Sequence, residues 1–145
     1  MTDKLDSRSR NDLIVYKLDK ATQTIREAEV MADAGFYNAS VNRLYYAAYY
    51  AASALMLSEE LETGTHKGTK TMLGLKFIYT GKMEREYGQI YQRLFDSRQA
   101  GDYEDFVYYD NESYAQLRPL AIKFIERVRS YIESKSECET SVSSN

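Results

Sequence analysis

The most distinctive pattern in the chain is a long segment that is almost free of charge. Arg43 is the only charged residue between positions 36 and 57, and alanines alternate with paired tyrosines after it. A helix that is apolar on nearly every side must be covered by other helices or by lipid. The uncharged part, 44–57, is shorter than the roughly twenty residues of a membrane span, and buried phenols need polar partners. The segment therefore predicts a central helix in the core of a water-soluble protein.

Apolar residues recur at helical spacing in the rest of the chain, with short polar breaks between them. The predicted helices cover about 11–34, 37–57, 70–80, 83–100 and 113–134. Gly35 and Gly81 are expected to end the first and third helices. Thr65 or Thr69 is expected to cap the third helix. Because Pro119 lies inside the apolar pattern of the last helix, that helix should begin just before it or kink there.

Short connections between consecutive helices predict the fold class. They favour a single all-α domain, an up-and-down antiparallel bundle of four to five helices. A chain of 145 residues has the length of one domain. In this scheme residues 11–134 form the bundle, 1–10 a flexible N-terminus and 135–145 a disordered tail.

Composition excludes several kinds of chemistry. The chain has one histidine and one cysteine, so it cannot supply a bundle di-iron site or a structural zinc site. We therefore predict no metal and no cofactor. The net charge of -3 gives no general attraction to nucleic acid or membrane. The lone cysteine, in the polar tail, and an N-terminus without an apolar stretch favour the cytoplasm and no membrane association.

A basic stretch follows the central helix. Between positions 63 and 83 there is no acidic residue, and the basic side chains are His66, Lys67, Lys70, Lys76 and Lys82. Such a stretch can be an ordinary solvated face. It can also bind phosphate, in which case His66, Lys67 and Lys70 are the candidate residues.

Arg43 shares a helix stripe with Tyr46 and Tyr50, at spacings of three and four residues. One interpretation is structural, with the guanidinium stacked on Tyr46 or paired with a carboxylate. The other is functional: arginine and two phenols face a cleft or a partner and bind an anion. Near the end of the fourth helix, Arg98 is expected to pair with Asp102 in a structural role, with Gly101 helping to end that helix.

Several of these segments together resemble the HEPN domain family of small prokaryotic helical-bundle proteins. The similarity is carried by NRLYYAAYYAA in the central helix, by the Thr-His loop and by FDSRQAGDYEDF, and it extends from about Asp12 to Ser134. It implies a bundle that dimerises through the face holding a family arginine, here Arg43. It also implies metal-independent ribonucleases, often toxins encoded beside a minimal nucleotidyltransferase.

The chain departs from the family at the catalytic histidine. That histidine should follow Arg43 after four to six residues, where this sequence has Ala48, Tyr49 and Tyr50. A phenol with a pKa near 10 does not exchange protons at neutral pH as imidazole does. The resemblance therefore implies a non-catalytic module that binds a partner protein and, as a further expectation, nucleotide or RNA. The alternative is a toxin-like ribonuclease that uses Arg43 with Tyr50 or with His66.

The tyrosines lead to a prediction about assembly. The chain has 14 tyrosines and no tryptophan, and tyrosine and arginine are enriched at the centres of interfaces. We expect Asn42, Arg43, Tyr46 and Tyr50 to form a surface that binds a ligand or a partner. The partner would be a second copy of the chain, as a homodimer, or a minimal nucleotidyltransferase.

Overall fold

The computed structural model describes residues 5–143, with side chains from 5 to 138. This range contains five α-helices, one π-helical turn at Gly74–Ile78 and no β-strand. The helices are α1 (Ser7–Asp33), α2 (Tyr37–Ser58), α3 (His66–Leu73), α4 (Arg85–Tyr103) and α5 (Asn111–Ser143). The predicted all-α bundle is confirmed. None of the helices in 5–143 is both long and apolar enough to cross a lipid bilayer.

Helix α2 lies at the centre of the bundle, packed against α1, α4 and α5. Its small residues are fully buried, and they are Ala47, Ala48, Ala51, Ala52 and Ala54. Alanine leaves room for neighbouring backbones, so three helices can approach α2 from different sides. The predicted central helix over 37–57 is confirmed.

The predicted helix ends hold at three positions. Gly35 and Gly81 adopt positive φ angles of 85° and 79°, which glycine tolerates best. The Thr65 hydroxyl accepts a hydrogen bond from the Gly68 amide at 2.9 Å and caps α3, whereas Thr69 lies inside that helix and is buried. This cap starts α3 at His66, earlier than the predicted Lys70.

The two ends of the bundle are longer than the sequence indicates. Helix α1 begins at Ser7, because Asp6 caps it by accepting a hydrogen bond from the Ser9 amide at 2.7 Å. Helix α5 begins at Asn111, well before Pro119, and continues through it to Ser143.

The predicted disordered tail is therefore largely helical, through Ser143. The first residue of this tail is held against the end of α2, because the Lys135 ammonium donates to the Ser58 carbonyl and pairs with Glu59 at 3.1 Å. Residues 1–4 and 144–145, at the ends of the predicted flexible segments, lie outside the described residues.

The connection between α4 and α5 is fastened to α2 by one side chain. The Asn38 amide nitrogen donates to the carbonyls of Gly101 at 3.3 Å and Val107 at 2.9 Å, and its oxygen accepts from the Tyr109 amide at 2.8 Å. Gly101 does not end α4, which continues to Tyr103, so that expectation is wrong. Glycine is needed there because a Cβ atom would lie 2.9 Å from Cε2 of the Tyr109 ring.

Candidate functional site

The candidate site surrounds the ring of Tyr46 in α2. The guanidinium carbons of Arg43 and Arg98 lie 4.7 Å and 5.4 Å from its ring centre, and the His66 imidazole lies 5.4 Å from it, edge to face. These groups come from α2, α4 and the start of α3. Two cations and an imidazole therefore meet around one aromatic ring.

Arg43 is oriented mainly by neutral groups. Its Nε and Nη2 donate to the Asn42 amide oxygen at 3.1 Å and 2.9 Å, and its guanidinium lies over Tyr46. The carboxylate that faces it belongs to Glu27 in α1, with Nη1 and Oε1 4.0 Å apart. The side chain keeps 26% of its surface exposed. The cation is thus held in place but is not neutralised at hydrogen-bonding distance, so it can accept an anion.

Arg98 forms the ion pair that its spacing predicts. Its Nε donates to Asp102 Oδ2 at 3.1 Å, and its Nη2 donates to the hydroxyls of Tyr46 at 3.3 Å and Tyr103 at 3.2 Å. Asp102 Oδ2 also accepts from the Asn42 amide at 2.8 Å. A hydrogen-bonded chain therefore runs from Arg43 through Asn42 and Asp102 to Arg98. It joins α4 to α2, so Arg98 supports the site structurally and also borders it.

His66 enters the site because the Thr65 cap places it at the first residue of α3. Its Nδ1 shares a hydrogen bond of 2.8 Å with the hydroxyl of Tyr45, and its ring stacks on Tyr49 at 4.1 Å. Burial and the nearby positive charge of Arg98 lower the pKa of His66 below 6.5. Burial raises the pKa of Tyr45 to about 12. At neutral pH the site therefore holds a neutral imidazole beside a protonated phenol.

The lowered pKa of His66 gives a direct prediction. His66 is the one histidine of the chain, so its Hε1 resonance can be followed without ambiguity by NMR from pH 4 to 8. We expect a midpoint below 6.5, and Arg98→Gln should move the midpoint upward because it removes a neighbouring positive charge. Because the folded pKa is depressed, its stabilising contribution is present above the unfolded pKa and is lost as pH falls through the folded pKa. A midpoint at or above the unfolded value would contradict this description of the site.

The other predicted residues lie beside the Tyr46 site. The Tyr50 ring centre is 6.1 Å from that of Tyr46, and the Lys20 ammonium of α1 lies 4.6 Å from the Tyr50 ring centre. The Lys70 ammonium lies 4.2 Å from the ring centre of Phe95, and Lys67 is exposed. Of the three phosphate candidates in the basic stretch, the structure brings His66 into contact with Tyr46.

The structure also shows what surrounds the three positions where the family histidine would fall. Ala48 is fully buried in the core, Tyr49 stacks on His66, and Tyr50 lies toward α1. Sequence reasoning missed that Tyr45 and Tyr49 hold His66 in place. The available signal was a threonine directly before the single histidine, which is typical of a helix start.

Comparisons with known proteins identify the family of the chain. The sequence matches the HEPN domain family over residues 15–133. A "UPF0332 protein" of Thermotoga maritima is 30% identical over 124 residues, which cover 86% of this chain and 94% of the relative. A "Putative toxin" of Methanocaldococcus jannaschii is 26% identical over 119 residues, which cover 82% of this chain and 81% of the relative. Because the family match covers most of the sequence, the chain belongs to the HEPN domain family.

Proposed function

We propose that this protein is a non-catalytic HEPN binding module, and that its Arg43 site binds a phosphate group of a nucleotide or an RNA strand. The supporting observation is the state of Arg43. Its guanidinium is fixed by Asn42 and Tyr46, it meets Glu27 only at 4.0 Å, and 26% of its side chain is exposed. A cation that is already oriented loses little freedom when an anion binds.

The chemistry of the surrounding groups suits a phosphate. Guanidinium presents donors in a rigid fork, which matches two oxygens of one phosphate. Arg43 uses Nε and one hydrogen of Nη2 for Asn42, so Nη1 and the second hydrogen of Nη2 remain to form a fork with a ligand in place of the distant Glu27 carboxylate. The ring of Tyr46 lies beneath this fork and offers an aromatic surface at the edge of the site.

We further propose that the module works in a toxin–antitoxin-like pair. The name "Putative toxin" of two Methanocaldococcus jannaschii relatives supports this proposal. The partner would be a minimal nucleotidyltransferase, and the Arg43 surface would also join two copies into a homodimer. Light scattering on the purified protein should give the mass of a dimer, and a monomer at high concentration would contradict self-association.

A second candidate function is supported by His66. A neutral imidazole with a lowered pKa lies beside Tyr46 and Arg98, so the site has a proton acceptor although the usual position lacks histidine. In this alternative the protein is a toxin-like ribonuclease that needs no metal. Arg43 would stabilise the charge that develops on the phosphate, and His66 would move the proton.

One experiment separates the two functions. Labelled single-stranded RNA is incubated with the purified protein in EDTA, and binding by fluorescence anisotropy and cleavage on a gel are recorded together. We expect saturable binding with intact RNA. Cleavage that persists in EDTA and is lost in His66→Gln would favour the ribonuclease. Absence of binding to RNA and to nucleoside triphosphates would contradict both functions.

A further inference from the structure

A cavity of about 520 Å³ lies next to the Tyr46 site, between α1, α2 and the segment before α3. Its polar lining includes Lys17, Tyr49, Ser53, Glu62 and Thr63. Tyr49 connects it to the site already described, because the same ring stacks on His66 at 4.1 Å. The cavity is therefore a continuation of the candidate site along α2.

Lys17 is an uncompensated cation in this cavity. Within residues 5–138 its ammonium forms neither a hydrogen bond nor an ion pair, and its surface is only partly accessible. Burial and the neighbouring Lys20 lower the pKa of Lys17 below 10.5. An unpaired ammonium at a partly buried position is unfavourable, and a bound anion would compensate it.

An aromatic surface stands beside the two lysines. Tyr16 in α1 is 59% exposed, and the Lys20 ammonium lies 6.0 Å from its ring centre and 4.6 Å from that of Tyr50. Cations beside accessible aromatic rings are the combination that binds single-stranded nucleic acid, since bases stack on the rings while the cations meet the phosphates.

The antiparallel register of α1 and α2 places these groups in a line. Arg43 lies opposite Glu27, Tyr50 opposite Lys20, and Ser53 lines the cavity with Lys17. From Arg43 to Ser53 the helix rises by ~15 Å. That length exceeds the rise per nucleotide in a strand several times, so one ligand must be an oligonucleotide to reach both ends of this line.

We propose that the cavity and Tyr16 form a second subsite of the Arg43 site, which together bind one single-stranded oligonucleotide. Lys17 and Lys20 contact a phosphate, Tyr16 stacks on a base, and a phosphate farther along the same strand occupies Arg43. The inference rests on the proposed function, because it extends the same phosphate-binding site. Glu62 also lines the cavity, so its carboxylate opposes the ligand and limits the affinity.

The test measures anisotropy with labelled dinucleotides and hexanucleotides, each as DNA and as 2′-O-methyl RNA, which cannot be cleaved through its 2′-hydroxyl. Lys17→Gln should weaken hexanucleotide binding on the order of tenfold and reduce the salt slope by about 0.7. Dinucleotide binding at Arg43 should not change. Tyr16→Ala should weaken hexanucleotide binding on the order of tenfold. Glu62→Gln should strengthen it by about twofold to fivefold.

Two matched variants serve as controls. Lys123→Gln removes a lysine that pairs with Glu86 between α5 and α4, and Tyr79→Ala removes a tyrosine that is 89% exposed beyond the π-helical turn. If Lys17→Gln and Tyr16→Ala behave like these controls while the wild type binds, the second subsite is refuted and the proposed function stands. If the wild type binds neither length, both are refuted. If Lys17→Gln and Tyr16→Ala weaken the binding of both DNA and 2′-O-methyl RNA hexanucleotides, the subsite is supported. The strand type that the wild type binds more tightly is then the ligand that the subsite prefers.

Discussion

Arg43→Gln is expected to weaken binding of a phosphate ligand by about ten- to a hundredfold, while the protein stays folded. The loss corresponds to a hydrogen bond between charged groups, worth about 1.5–3 kcal/mol. Glutamine retains a hydrogen-bonding amide but loses the charge and the fork. Anisotropy titrations with RNA and with a nucleoside triphosphate measure the effect, and circular dichroism on heating measures the fold. The melting temperature should change little, because Arg43 makes its carboxylate contact at only 4.0 Å.

Arg93→Gln is the matched control for this substitution. Arg93 in α4 also donates to a side-chain amide oxygen, that of Gln116 at 3.2 Å, and it lies on the side of α4 that faces α5. The Arg93→Gln substitution removes one positive charge from the protein, as Arg43→Gln does, but leaves the Tyr46 site unchanged. If both variants lose the same affinity, the binding depends on net charge, and the assignment of Arg43 as the phosphate contact is wrong.

Phe124→Ala is expected to cost about 4 kcal/mol of the free energy of unfolding. The Phe124 side chain is fully buried in α5, and its ring centre lies 5.3 Å from that of Tyr91 in α4. Removing it leaves a cavity beside Tyr91, and the surrounding packed helices relax only partly into such a cavity. For a domain of this size we expect the melting temperature to fall by about 10 °C or more. Urea unfolding followed by circular dichroism gives the free energy directly.

Phe106→Ala provides the comparison, because Phe106 lies in the connection after α4 and is 89% exposed. Its removal should change the free energy of unfolding by no more than about 0.5 kcal/mol. A loss below about 2 kcal/mol for Phe124→Ala would show that the bundle closes around the missing ring. The core around Tyr91 would then be less rigid than its close packing indicates.

The sequence was sufficient to predict helices that are buried along one face and the helix that is buried on all sides. The absence of charge over 44–57 placed α2 in the centre, and apolar spacing located the four helices around it. Local chemistry also located Gly35 and Gly81, whose positive φ angles depend on the residue type itself. The Arg98–Asp102 pair was predictable for the same reason, since both residues lie on one helix face.

Features that depend on distant residues were not predictable from local pattern. The last part of α5 has no apolar stripe, and its anchor is the contact of Lys135 with Ser58, the last residue of α2, and with Glu59, which follows it. The place of His66 likewise depends on Tyr45 and Tyr49, which lie far from it in sequence. No spacing rule connects such residues, so the sequence offered His66 as a candidate phosphate ligand or catalytic partner but did not predict its contacts with Tyr45, Tyr46 and Tyr49.

Asn38 attaches the α4–α5 connection to α2, and within residues 5–138 no side chain of the connection itself forms a hydrogen bond to α2. A single amide holds the carbonyls of Gly101 and Val107 and the amide hydrogen of Tyr109. The Tyr109 amide can therefore exchange with deuterium only when the connection leaves α2. Its exchange rate reports an opening that also frees the end of α4, where Asp102 supports Arg98. One backbone amide, outside the site, thus measures how often the α4–α5 connection separates from α2.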